Sequence, residues 1–440
     1  MPIEVDEPSD VSTLAARVRE MGEVAVLASS AEGRSFVAAG AVETSHAYVP
    51  EPQSLIRKGP LDAAGRDSPS DAWASVPRWI GLLPYEAARC LERTPVGRAD
   101  ARPRPHHELP CWKRYPAVAV VDHAAGRVTV VGDNADAERR LARAISQPHD
   151  GEGQPGPRAS LLPLGPDEPA IVHEERIREA LSLVAAGDLY QVNVARRYTF
   201  QVMGKGTDIF RQMRRYAPTS YGFYCEFDDV MVIGTSPELF LQALPDGRVL
   251  TAPIKGTRPR GDDRLSDAAH GRALDADEKE RAELLMVIDL ERNDLGRVSV
   301  TGSVRVPFPP RIERHTSLFH RVADVRGLLR TDVSREQLLR ATFPSGSVTG
   351  APKVRAMEVI ASLEAHRRGL YTGAYGYLGR DGRVVLSIAI RTLTVRDGEG
   401  HYQAGGGIVD GSDPAREVEE TRTKALQVAA LVSGATRRGP

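Results

Sequence analysis

Cysteine is scarce in this chain of 440 residues: Cys90, Cys111 and Cys225 stand far apart, with no C-x-x-C spacing. An odd, dispersed set argues against a disulfide framework, and buried free thiols in a reducing compartment are the expectation. Long hydrophobic runs are missing as well. No apolar stretch approaches the roughly 18 residues of a membrane span, and Met1 to Asp10 holds four acidic residues and no signal-peptide core. A soluble cytoplasmic protein without a membrane partner is expected. Nor does one sign of charge dominate. The formal net charge is -1, so no overall field draws nucleic acid or an anionic membrane. The remainder is ordinary globular composition, 41% hydrophobic and 27% charged. It is enough for two or three domains or one large interwoven core.

Lysine is also rare. The 58 basic residues comprise 51 arginines and seven lysines: Lys58, Lys113, Lys205, Lys255, Lys279, Lys353 and Lys424. Arginine stays protonated, whereas a lysine can lose its proton and become a nucleophile. Lys255, Lys353 and Lys424 therefore draw attention.

Residues 1–150 alternate short apolar runs with polar turns, including Val24 to Leu27 and a hairpin of Ala117 to Val121 with Arg127 to Val131. Asp100 to Pro110 reads as loop, and the Gly/Pro-rich stretch from Gln147 to Asp167 as an exposed linker. The remainder, 168–435, carries most of the chemically suggestive clusters. Helices are expected over His173 to Ala186, Ser266 to Arg292, Glu336 to Thr342, Pro352 to His366 and Pro414 to Val432, with Asp275 and Glu278 resembling a capping box. Strands are expected over Leu189 to Phe200, Gly373 to Leu378, Val384 to Val395 and Tyr402 to Ala404. Hairpins mixed with separate helices indicate an α+β fold with antiparallel sheet.

Glu280 and Glu283, then Glu417 and Glu420, repeat one spacing on two expected helices. Residues three apart share a helix face, so the pairs offer either oxygen ligands for Mg²⁺ or two solvated charged faces. Ser345-Gly-Ser-Val-Thr-Gly-Ala-Pro-Lys353 runs from a Gly/Ser loop into a proline at a helix start, an anion site or a tight turn. It lacks the glycine spacing and ending of a nucleotide P-loop. Three glycines, Gly405, Gly406 and Gly407, follow a strand and mark a close approach or a bulge. Arg391 is expected mid-strand on the face opposite Ile388 and Ile390, either to bind a carboxylate or to form a structural ion pair. Lys255, between Ile254 and Gly256, is either a desolvated amine or a surface turn residue. His315 and His320 have no partner at metal-ligand spacing.

In order, Gly187-Asp-Leu-Tyr-Gln-Val-Asn193, Ser236-Pro-Glu238, Pro253 to Arg258, Arg281 to Asp289, Arg292-Asn-Asp294, His320-Arg-Val322, Gly346 to Lys353, Gly373 to Leu378, Ser387 to Leu393, Ala404 to Val409 and Glu417 to Lys424 resemble the chorismate-binding enzymes. These comprise the anthranilate and aminodeoxychorismate synthase large components and the isochorismate and salicylate synthases. The likeness covers roughly residues 175 to 430, and only Trp79-Ile-Gly-Leu-Leu-Pro-Tyr85 stands out before it.

The resemblance implies a large core of two packed, mostly antiparallel β-sheets with helices on the outside, to which the amino-terminal region adds strands. It implies Mg²⁺ on Glu283 and Glu420, supported by Glu280 and Glu417. It puts Arg391, Lys424 and the amides of Gly405 to Gly407 on substrate carboxylates. Thr349 and Gly350 fall in the pocket wall, with Gln191, Tyr375 and Lys353 also at substrate-site positions. His320 falls near the reacting ring, and Glu238 at the acid that protonates the departing C4 hydroxyl.

Two positions discriminate within the family. Isochorismate and salicylate synthases place a water-activating lysine where this chain has Gln191. Anthranilate synthases usually carry alanine where this chain has Lys255, and the aminodeoxychorismate enzymes carry lysine. The implied reaction is chorismate plus ammonia to 4-amino-4-deoxychorismate through a covalent lysine intermediate, for 4-aminobenzoate and folate. Ammonia would come from a glutamine amidotransferase partner. The alternatives are anthranilate formation and a non-catalytic chorismate-binding subunit. Tyr375 and Ser345 depart from the commoner family residues, and the segment linked to tryptophan feedback is not found.

Overall fold

The computed structural model describes residues 2–5, 10–29, 33–50, 75–91, 100–149, 159–307, 309–315 and 318–433. Its inner strands are apolar on both faces. In Pro77–Leu83, Ile80 and Leu82 enter one core cluster, while Trp79 and Leu83 enter another. In Tyr221–Phe227, Phe223, Cys225 and Phe227 join the first of these clusters, and Tyr224 turns to a third. Successive strand side chains point to opposite faces, so such strands need cover on both sides. The chain meets this with two sheets packed face to face and helices outside them.

One sheet has twelve strands, the other eight, and a small third sheet has three. Every strand pair among the described residues is antiparallel. Val11–Val18, Ala135–Ser146, Gly206–Tyr216 and Pro414–Ser433 cover the outer face of the larger sheet. Arg335–Thr342 and Glu278–Gly296 lie outside the smaller one. The hairpin of Ala117–Asp122 and Arg127–Gly132 forms as expected. Both large sheets mix strands from the two ends of the sequence: Gly222 pairs with Ala28, and Ala374 with Leu83.

Several expected elements differ. The helix from Ser266 to Arg292 is two helices, Arg264–Ala276 and Glu278–Gly296. Asp277 between them is extended and caps the second by accepting from the Glu280 amide, and the capping box is Asp263 with Ser266. The strand from Val384 to Val395 is broken into Val384–Ile388, in the smaller sheet, and Thr392–Arg396, in the larger. Arg391 stands at the crossing with φ 50°. The glycine run lies within a strand, Glu399–Ile408, and not after one. Part of the expected linker, Ser160–Pro166, is a strand paired to Gln191–Met203, while 150–158 lie outside the described residues. Cys111 and Cys225 are buried free thiols, but Cys90 is exposed. No helix among the described residues is long and apolar enough to cross a membrane.

Candidate active site

A cavity of about 1590 Å³ opens where the two large sheets, the small sheet and three helices meet. Its walls come from distant parts of the sequence: Glu238 after Val230–Ser236, Lys255 in Ile254–Pro259, His320 in Leu318–Val322, Arg391 at the crossing between sheets, and Gly405 to Gly407. Glu280 and Glu283 face it from Glu278–Gly296, and Glu417, Glu420 and Lys424 from Pro414–Ser433.

Glu238 is buried, and that burial pushes its carboxyl up to about 7. Ser347 beside it, the Ile254 amide 3.3 Å from Oε1, and the charges of Lys255 and Arg391 oppose the shift only partly. A carboxyl so tuned holds a proton near neutrality and can release it. Lys255 is exposed to the cavity yet deep within the molecule. Burial lowers its pKa, against the charges of Glu283, Glu238 and Glu420 and with that of Lys424. The resulting trend is towards a neutral amine.

Arg391 has no ion-pair partner among the described residues, which removes the structural salt bridge from its two readings. Its guanidinium is deeply buried, and desolvation lowers its pKa. Its positive φ is a strained conformation on the order of 1–3 kcal/mol for a residue of this kind, held by the Thr235 amide donating to its carbonyl at 3.1 Å. An unpaired buried cation at a cavity is a receiver for an anion. His320 Nδ1 is 3.0 Å from Thr257 Oγ1. Burial, then the charges of Arg391 and His315, push its pKa down to about 4, so it is neutral near pH 7.

The glycines let one helix and the neighbouring strand's side chains approach. A Cβ on Gly406 would lie 2.5 Å from Glu417 Oε2, one on Gly407 2.6 Å from Gln191 Nε2, and one on Gly405 2.6 Å from Asn193 Oδ1. Lys424 Nζ donates to the Gly405 carbonyl at 2.8 Å and pairs with Glu420 at 2.7 Å. Arg258 bonds Glu280 Oε1 and Asp277 Oδ2, each at 2.8 Å.

The geometry is that of a pocket of mixed charge, in which the unpaired Arg391 can receive a small anion beside the acid Glu238, and the matching family agrees. Residues 23–430 match the family described as chorismate binding enzyme. The chain is a chorismate-binding enzyme. It is 40% identical over 371 residues to anthranilate synthase component 1 of Streptomyces coelicolor, covering 78% of this chain and 70% of that one. It is 39% identical over 355 residues to aminodeoxychorismate synthase component 1 of Klebsiella aerogenes, covering 79% and 76%. The crystal structure of anthranilate synthase component I from Streptococcus pneumoniae superposes with TM-score 0.74 at 29% identity, covering 90% of this chain and 92% of that one.

In this chorismate-binding enzyme the four glutamates line one cavity, yet no three of their carboxylates lie within 4.8 Å of one another among the described residues. The group that does, His106, Glu399 and His401, lies outside the cavity. The donors still suit a hard cation. Glu280 Oε2 is buried without a partner, and burial and then the charge of Glu420 raise the Glu417 pKa. Mg²⁺ keeps several waters and takes only one or two carboxylates alongside substrate oxygens, so an open set fits it.

Five expected substrate-site residues do not line the cavity. Gln191 lies behind Gly407, its amide nitrogen and oxygen both buried and unpartnered. Thr349 is fully buried, its hydroxyl also unpartnered, and Gly350 pairs with Val192 at φ 138°. Tyr375 belongs to the core between the sheets. It stacks on Phe223 at 4.5 Å, donates to the Tyr221 carbonyl at 3.2 Å and accepts from the Ser236 amide at 3.2 Å. Lys353 is held in an ion pair with Asp294 and donates to the Thr342 carbonyl at 3.0 Å, which turns it away from the anion role. Conversely, Asn193, Thr257 and Ser347 line the cavity. Each lies in a quoted family stretch, but only contacts across elements mark it as part of the site.

Proposed function

We propose that this chorismate-binding enzyme is the large component of an aminodeoxychorismate synthase. The observation that carries the reading is the Lys255 amine, desolvated and facing the same cavity as the acid Glu238 and the unpaired Arg391. Chorismate is a dianion, so Arg391 and Lys424 serve its carboxylates. The neutral Lys255 amine attacks C2, the two ring double bonds shift, and the C4–O bond breaks. Glu238 gives its proton to the departing hydroxyl, which leaves as water. Ammonia then bonds to C4, the double bonds shift back, and the C2–N bond to Lys255 breaks. Holding C2 in this way directs nitrogen to C4.

Glu283 and Glu420 would hold Mg²⁺, with Glu280 and Glu417 in support; when bound, it supplies positive charge beside the substrate carboxylate. Both relatives are named component 1, which supports a partner, taken here to be a glutamine amidotransferase that supplies ammonia. The S. coelicolor relative's name favours a second reading, anthranilate formation. Incubation with chorismate, Mg²⁺ and ammonium, with mass spectrometry of product and protein, separates the two. The expected result is 4-amino-4-deoxychorismate and a protein adduct on Lys255, with the Lys255→Ala variant losing the adduct and most 4-amination. Unchanged 4-amination by that variant rejects the role of Lys255.

A further inference from the structure

Behind Glu238 lies a chain of polar groups that the reaction above does not use. Ser347, which lines the cavity, lies beside the Glu238 carboxyl and opposes the rise in its pKa. Its Oγ lies 3.1 Å from Ser345 Oγ, and Ser345 Oγ donates to Glu291 Oε1 at 3.0 Å. All four side chains are buried, with exposures of 1% to 4%. Glu291 Oε2 is buried without a hydrogen-bond partner. A carboxylate left so would keep a full desolvation penalty, whereas a carboxylic acid would not. The set is assembled from three places: the end of Val230–Ser236, the loop before Lys353–Leu363, and Glu278–Gly296.

We propose that Glu291 is the proton reservoir of Glu238, reached through the hydroxyls of Ser345 and Ser347. A hydroxyl both donates and accepts, so rotation of two hydroxyls sets the direction of transfer. Once Glu238 has protonated the departing hydroxyl, Ser347 passes its proton to the Glu238 carboxylate and takes one from Ser345. Ser345 takes one from the Glu291 carboxylic acid. Three O–H bonds break and three form, leaving Glu291 as the carboxylate. When ammonia has bonded to C4, its surplus proton goes to a Glu238 oxygen and the chain runs backwards. No proton has to enter from bulk water.

The surroundings suit this exchange. Asp294 and Lys353 face Glu291, while Lys255 and Arg391 face Glu238. Burial pushes both carboxyls up to about 7, Glu291 with the added charge of Asp294, so neither end keeps the proton to the exclusion of the other.

The reservoir rests on the reading of Glu238 as the acid, and its test is separable from the question of product. Chorismate consumption is measured, whichever amino product forms. Ser345→Ala keeps the Glu291 charge but cuts the chain. Its kcat is expected to fall on the order of 10²-fold, the size of a general-acid contribution, with KM unchanged. Ser345→Thr, which restores a hydroxyl, recovers most of the rate. Glu291→Gln, nearly isosteric, matches the loss, and the double variant loses no more because the groups act in series. In the parent enzyme several protons move in the rate-limiting step by a solvent-deuterium proton inventory, and in Ser345→Ala only one. A kcat within twofold of the parent in either Ser345→Ala or Glu291→Gln overturns the reservoir. A 2-amino product would instead refute the role of Lys255 and leave this test standing.

Discussion

Glu238 and Lys255 face one cavity and are shifted towards each other by the same cause, removal from water. Burial disfavours whichever form is charged, so the acid weakens and the ammonium becomes more acidic. Adduct formation on Lys255 needs the amine neutral and Glu238 protonated. Its rate should stop rising with pH once pH passes about 7, because further gain of neutral Lys255 is then offset by loss of the Glu238 proton. Rapid-quench mass spectrometry without ammonia reads this step alone, and a rate still climbing well beyond neutrality excludes Glu238 as the acid. Glu238→Gln should slow it by about 10²-fold or more. The sequence made Lys255 conspicuous, because lysine is rare and this one lies between an apolar residue and a glycine. The same rarity pointed to Lys353, which Asp294 holds away from the cavity. A sequence gives the chemistry of a side chain; its direction depends on neighbours far along the chain.

At the scale of elements, three interruptions build the site. Asp277 separates two helices and, with Glu280, receives Arg258. The break at Arg391 carries the chain from one sheet to the other. The glycine run in Glu399–Ile408 removes side chains where Glu417 and Gln191 approach. Gly406→Ala would place a Cβ 2.5 Å from Glu417 Oε2. Overpacking of this kind costs about 1–3 kcal/mol. The expected outcome is a roughly tenfold or larger rise in KM for chorismate, or in the Mg²⁺ concentration needed, with unchanged circular dichroism. Gly296→Ala, with nothing within 4 Å of the new Cβ, is the control. Equal kinetics for the two variants would remove the close-approach argument. Apolar periodicity revealed that these helices and strands exist, but not their interruptions. Periodicity reports the face a residue occupies within an element, and a break arises where the chain changes partners.

At the scale of the molecule, the first part of the chain is woven into the sheets that carry the site. Ala25–Ala28 pairs with Tyr221–Phe227, and Pro77–Leu83 with Ala374–Gly379. A fragment of residues 168–435 would expose both inner strands as open edges, with their apolar faces uncovered. It should be insoluble or lack cooperative unfolding, whereas the full chain should melt in one transition by calorimetry. A soluble fragment with native-like circular dichroism would show the regions to be independent. By itself the sequence determined the α+β class, the antiparallel pairing, the family and most of the ionisable groups at the cavity. Those depend on local periodicity and on motif order, which one dimension records. Tertiary structure alone decided that Tyr375 is core, that Lys353 is an ion-pair partner, that Arg391 is unpaired, and that Glu291 connects to Glu238 through two serines. Each of these depends on which distant groups share a volume without water, because that company sets whether a charge is paired, protonated or left facing the substrate.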